Sequence, residues 1–216
     1  MELYCTLENG IKEFNIERVV PEKKIAYSIF KRLFDLFFSL LAFILLFIPM
    51  IVVAVLIKLD SKGPVIFKQS RVGENGKEFM MYKFRTMSVD AEKDGPQWAD
   101  NNDSRCTRIG LFLRKVRLDE LPQIINIIKG DMSIVGPRPE RQYFYDEFEK
   151  YIHGFSYRTL VTPGLTGWAQ VNGGYDLKPE EKIVYDMEYI KNRSFLLDMK
   201  CIFLTIKVVF TQEGSR

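Results

Sequence analysis

The chain has 216 residues, 47% of them hydrophobic, with 31 Lys and Arg against 28 Asp and Glu for a formal charge of +3. That length leaves room for one domain and a membrane element but not for a second large domain. The slight basic excess, without any basic stripe interleaved with aromatics, excludes nucleic acid as a partner and suits a surface resting on anionic lipid. Cys5, Cys106 and Cys201 stand apart with no CxxC spacing, which excludes a zinc site and a disulfide framework.

Residues 1–30 mix charged and apolar side chains without a strong period, are interrupted by Pro21, and carry no functional signal. Residues 36–57 follow with no charged side chain, the length a helix needs to cross a bilayer. Pro49 sits inside this run, and basic residues flank both ends, Lys31 and Arg32 before it and Lys58 and Lys62 after it. Proline breaks or kinks a helix, and balanced flanks give the positive-inside rule nothing to orient. A re-entrant helix–break–helix that enters and leaves by one face satisfies both features. An ordinary kinked span accommodates Pro49 as well, so on the residues alone both readings stand. Residues 31–38 can lie at the interface, their Lys and Arg stems snorkelling past apolar neighbours.

Gly63-Pro64 marks a turn, and Asn75-Gly76 between apolar segments 65–72 and 78–84 predicts a β-hairpin. Residues 88–106, rich in Asp, Asn, Gly and Pro, predict a long mobile loop. Asp119, then Pro122, an apolar run at helical spacing and Gly130 predict a helix over 120–129. Helices are also expected at 143–152 and 179–190, a structured loop at 162–174, and a buried or interfacial helix at 201–210.

Asp119 and Glu120 are adjacent carboxylates close to Arg114, Lys115 and Arg117. Such a pair can hold Mg²⁺ whose shell phosphate oxygens complete, and a carboxylate can attack phosphorus. A solvated N-cap with surface ion pairs explains the same residues. In Gly136-Pro137-Arg138-Pro139 two prolines fix the backbone around Arg138, either pre-positioning its guanidinium for phosphate or simply making a rigid turn. Lys83 and Arg85 alternate on one strand face, which a solvated face also explains. His153, the single histidine, reads as structural, and Trp98 and Trp168 as core or interfacial residues.

The segments Lys31-Arg32-Leu33-Phe34-Asp35, Lys83-Phe84-Arg85-Thr86-Met87, Leu118-Asp119-Glu120-Leu121-Pro122-Gln123, Lys129-Gly130-Asp131-Met132-Ser133, Gly136-Pro137-Arg138-Pro139 and the run from Pro163 to Gly173 occur in an informative order. Together they resemble the bacterial sugar transferase family, the monotopic polyprenyl-phosphate phosphoglycosyl transferases, over all but the first thirty residues. The resemblance implies transfer of a sugar-1-phosphate from a UDP-sugar to undecaprenyl phosphate with release of UMP. That is the first membrane step of exopolysaccharide or capsule synthesis, at the cytoplasmic face of the inner (plasma) membrane. It further implies Asp119 as nucleophile, Glu120 as Mg²⁺ ligand, Lys83, Arg114 and Arg138 at the phosphate or nucleotide site, with Arg85 beside Lys83, and Asp186 as a further functional carboxylate. At the membrane break the family commonly has Ser-Pro where this chain has Ile48-Pro49, and Ser39 is too distant to supply the missing hydroxyl.

The expected fold is therefore α+β and mainly helical. An N-terminal extension (1–30) precedes the re-entrant membrane hairpin (31–60), and a small cytoplasmic catalytic domain (61–216) follows, with a short β-hairpin and amphipathic interfacial helices. A homo-oligomer is compatible with this plan. Direct transfer in a ternary complex, with Asp119 as base or ligand, is an alternative mechanism. A silent membrane scaffold is an alternative class, against which the intact Asp119-Glu120 pair argues.

Overall fold

The computed structural model describes residues 3–8, 11–22, 24–93, 95, 103–173 and 177–211. In chain order these form β1 (Leu3–Glu8), β2 (Ile11–Ile16), α1 (Ile25–Asp60), β3 (Ile66–Val72), β4 (Glu78–Phe84), α2 (Arg108–Lys115) and α3 (Gln123–Lys129). There follow β5 (Ser133–Val135), α4 (Gln142–Glu149), β6 (Ile152–His153), β7 (Gly164–Thr166), α5 (Trp168–Val171), α6 (Pro179–Asn192) and α7 (Phe195–Thr211). The fold is α+β and mainly helical, as expected.

Helix α1 takes up the apolar run and begins at Ile25, earlier than the hydropathy suggests. Its only buried residues are Asp35, Ser39, Val53 and Ile57, while Ile44, Leu45 and Ile48 are 71%, 67% and 71% exposed. A core helix of a soluble protein would bury such a stripe, so this surface is suited to lipid. The expected break does not separate two helices: the helix runs on through Pro49. Proline removes one bond, to the Leu45 carbonyl. The flanking turns remain helical.

Both flanks of α1 dock on the same domain. Arg32 donates to the Ile127 and Ile128 carbonyls (2.6 and 2.8 Å), satisfying the open C-terminal end of α3. Asp35 accepts from Ser133 Oγ (2.7 Å) and the Ile134 N–H (3.1 Å). Asp198 on α7 accepts from Tyr27 (2.8 Å) and Lys31 (2.9 Å). At the far end Asp60 accepts from the Ile109 N–H (3.1 Å) in the first turn of α2, and Val53 and Ile57 pack with Phe84 and Leu113.

The β3–β4 hairpin is antiparallel in register Ile66↔Phe84 to Val72↔Glu78, and Asn75 turns it with φ 56°. Residues 1–30, which show no strong period in the sequence, contain β1 and β2, paired antiparallel, with β6 added parallel to β2. The loop expected over 88–106 is closed at its base by a bridge between Met87 and Cys106; Trp98 lies outside the described residues. The 143–152 helix stops at Glu149, and Ile152 enters the sheet instead. The 162–174 segment contains β7 and α5, and the 201–210 helix begins earlier, at Phe195. Helix α7 buries Asp198 and Cys201 and exposes Leu196, Phe203 and Ile206, the division expected of an interfacial helix. The main core gathers Ile152, Phe155, Ile183, Met187, Ile190 and Cys201.

Candidate active site

The carboxylate pair is placed by backbone geometry on one side and a buried amide on the other. Arg117 adopts a left-handed conformation (φ 57°, ψ 18°), unusual for a side chain with Cβ, and turns the chain out of α2 into a 3₁₀ turn over Leu118–Glu120. Helix α3 therefore starts three residues later than expected, with Pro122 in its N-cap place and no side-chain cap, so Asp119 is not a capping residue. What ties α3 to the hairpin is Asn126, fully buried. Its amide oxygen accepts from the Tyr82 N–H (3.0 Å), and its nitrogen donates to the Met80 carbonyl (2.7 Å) and Asp131 (3.1 Å). This bracket brings Lys83 of β4 to the carboxylates. On the other side Gly110 lets α2 approach closely, because a Cβ there would lie 1.9 Å from the Thr86 carbonyl oxygen.

Glu120 pairs with Lys83 (3.3 Å) and with the guanidinium of Arg138. Burial by itself would raise the Glu120 carboxyl, but Arg138 and Lys83 outweigh it and hold it well below the usual carboxylate range. Asp119 is buried beside it, and among the described residues the ion pairs of this cluster go to Glu120 and none to Asp119. Burial and the neighbouring Glu120 charge raise the Asp119 carboxyl to about 6, against the pull of Lys83, Arg138 and Arg114.

Both carboxylates open on a cleft of about 420 Å³ whose lining includes eight basic side chains, among them Lys83, Arg114, Arg117 and Arg138, against four acidic ones. That surplus suits a polyanion such as a diphosphate. Arg114 also donates to Cys106 Sγ (2.9 Å). Among the described residues no three His, Cys, Asp or Glu side chains form a metal cage. Two adjacent carboxylates on a basic cleft nevertheless fit the small protein share of a Mg²⁺ site completed by phosphate oxygens and water.

Lys83, Arg114, Arg138, Asp119 and Glu120 thus converge, whereas two other predicted residues are engaged elsewhere. Arg85 lies on the cleft wall, but its guanidinium donates to the Lys62 carbonyl (2.5 Å) and to the Ser61 carbonyl (2.8 Å) and hydroxyl (2.9 Å), closing the C-terminal end of α1. Asp186 on α6 is buried against Arg158, 2.7 Å away. His153 Nε2 lies 3.1 Å from Glu13, and Trp168 packs against the main core. Sequence reasoning missed Asn126, Arg158 and the Arg71–Glu140 pair (3.1 Å), whose partners lie far away along the chain.

An apolar helix left bare on its surface, beside a basic cleft that holds a carboxylate pair, is the arrangement of a membrane-associated protein. The chain belongs to the bacterial sugar transferase family, whose model matches residues 26–212. It is 47% identical over 194 residues to UDP-N-acetylgalactosamine-undecaprenyl-phosphate N-acetylgalactosaminephosphotransferase of Aeromonas hydrophila, covering 88% of this chain and 46% of that protein. It is 44% identical over 218 residues to UDP-glucose:undecaprenyl-phosphate glucose-1-phosphate transferase of Klebsiella pneumoniae (97% of this chain, 47% of that protein). To the uncharacterized sugar transferase EpsL of Bacillus subtilis it is 40% identical over 186 residues, covering 86% of this chain and 90% of that protein. The chain spans about half the length of the first two relatives.

Proposed function

We propose that this protein transfers a sugar-1-phosphate from a UDP-sugar to undecaprenyl phosphate, releasing UMP, through a covalent Asp119 intermediate. The observation that carries the reading is the asymmetry of the carboxylate pair: Glu120 absorbs the ion pairs while Asp119, at the same basic cleft, keeps its lone pairs for chemistry. Ionised Asp119 attacks the phosphorus that bears the sugar. An acyl-phosphate bond forms, the bond to the UMP oxygen breaks, and UMP leaves with the electron pair. A phosphate oxygen of the lipid then attacks the same phosphorus and expels the Asp119 carboxylate. Lys83, Arg114 and Arg138 neutralise charge that accumulates on the diphosphate. Glu120 would hold a magnesium ion carried with the donor, which when bound would supply further charge neutralisation.

The membrane element is read as re-entrant, with both ends at the cytoplasmic face of the inner membrane. The support is that Arg32 and Asp35 before the apolar run and Val53, Ile57 and Asp60 at its end all contact one domain. A straight crossing would set these groups on opposite sides. The arrangement lets a soluble donor and a lipid phosphate meet at the bilayer surface, as the first membrane step of a surface polysaccharide. The donor sugar is read as glucose, galactose or N-acetylgalactosamine, the sugars that the relatives' names give.

The test combines a UDP-sugar screen for lipid-dependent UMP release with trapping. Given labelled donor and no lipid, the wild-type chain is expected to take up label at Asp119, and Asp119→Asn none. Label on another residue, or strictly sequential kinetics, would overturn the covalent route in favour of direct transfer.

A further inference from the structure

The segment that presents Arg138 has an uncommon problem of support. Pro137 and Pro139 carry no N–H, so this stretch cannot be held by donating at those positions to a neighbouring strand. It is held through its carbonyls. The Pro137 carbonyl accepts from the Gly164 N–H (2.9 Å), the Arg138 carbonyl from Arg158 Nη2 (2.9 Å), and the Pro139 carbonyl from Arg71 Nη1 (3.1 Å). Three separate elements thus grip three successive peptide units, and the middle grip is at the residue whose guanidinium meets Glu120.

Arg158 is 1% exposed, as is Asp186, which faces it at 2.7 Å. Its guanidinium also lies over the Phe155 ring, 4.8 Å from the centroid. Both polar contacts are made by one nitrogen, Nη2, which lies 2.7 Å from Asp186 Oδ2 and 2.9 Å from the Arg138 carbonyl oxygen, so pairing with the carboxylate sets where that nitrogen donates. Neither side chain has surface to offer a substrate. Arg158 and Asp186 line a small cavity together with Arg117, Arg138, Gln170 and Lys182.

We infer that Arg158 and Asp186 are a buried positioning pair: Asp186 orients Arg158, Arg158 fixes the Arg138 peptide, and the Arg138 guanidinium is thereby held at Glu120 and the cleft. Asp186 thus acts two residues away from the ligand, as a positioning residue. The inference rests on the proposed reading only in taking Arg138 as a diphosphate ligand.

A double-mutant cycle tests it, using the full chain in lipid nanodiscs with UDP affinity by calorimetry as the first readout and UMP release as the second. Arg158→Lys keeps the charge, but its shorter side chain lacks the planar guanidinium whose Nη2 reaches the Arg138 carbonyl while facing Asp186. It is expected to weaken UDP binding and kcat/KM by about 10-fold or more in the wild-type background, and by less than about twofold in Arg138→Ala. Asp186→Asn is expected to follow the same pattern, while Asp186→Glu, which keeps the charge, restores part of the loss. Melting curves of each variant separate folding from positioning, because a purely structural defect lowers stability and multiplies through both backgrounds. Equal losses of UDP affinity in the two backgrounds overturn the inference, whatever the turnover. Normal UDP binding with the predicted non-additivity but no UMP release from wild type leaves the inference standing and overturns the transferase reading. Failure of wild type to bind UDP overturns both.

Discussion

Asp119→Asn is expected to stabilise the protein at neutral pH while abolishing its turnover. The Asp119 carboxyl, ordinarily near 3.8, is raised to about 6, first by burial and then by the Glu120 charge. At roughly 1.4 kcal/mol per pKa unit that gap corresponds to about 3 kcal/mol. The sign follows from proton counting. Between 3.8 and about 6 the folded chain keeps a proton that the unfolded chain has lost, so wild-type stability falls as pH rises through this window and then levels. Asparagine has no charge to desolvate. The variant should therefore match wild type near pH 4 and exceed it by up to about 3 kcal/mol near pH 8. Glu120 and Glu140, both held low in spite of burial, act with opposite sign, and their contributions are lost only as pH falls below about 4.5. Unfolding of both proteins in nanodiscs at the two pH values measures the difference. In wild type, kcat/KM for the donor should also fall about tenfold per pH unit below about 6, as the nucleophile is protonated. A stability difference that does not change between the two pH values would refute the account of Asp119.

Glu120→Gln is expected to cut turnover by about 100-fold or more without disturbing membrane insertion, since Lys83 and Arg138 lose their shared anion; full wild-type activity in chelator would count against magnesium. Arg85→Ala removes three hydrogen bonds to Ser61 and Lys62 and should lower stability by about 1–3 kcal/mol, with UDP affinity within about twofold of wild type. A selective loss of UDP affinity would instead return Arg85 to the substrate site. Cysteines engineered before Lys31 and after Lys62 should be labelled from the same side of oriented vesicles, and labelling from opposite sides would replace the re-entrant reading with a crossing.

Several features are legible along the chain because they depend on neighbours a few residues apart. The uncharged run that becomes α1 is a matter of composition and length. The β3–β4 hairpin follows from Asn75-Gly76, and the stop of α3 from Gly130, whose φ is 93°. The triplet Glu8-Asn9-Gly10 carries the same hairpin signal between the two segments that become β1 and β2, but the mixed polarity around it hides the strands. Family motifs likewise mark Asp119, Glu120, Lys83 and Arg138 as residues of one site.

Only the tertiary structure decides what each charge does there, because burial and partner choice are set by elements distant in sequence. A start signal at Asp119 reads equally as an N-cap and as a nucleophile, and the left-handed turn at Arg117 and the Asn126 bracket remove the first role. Lys83 near the end of β4 and Arg85 just past it are two residues apart, yet one meets Glu120 and the other closes the end of α1. Asp186 reads as a site carboxylate until Arg158 is seen to take it up, 28 positions earlier in the chain and 20 positions after the carbonyl that Arg158 holds. An electrostatic role belongs to a side chain together with its partners and its access to water, and both come into being only when the chain folds.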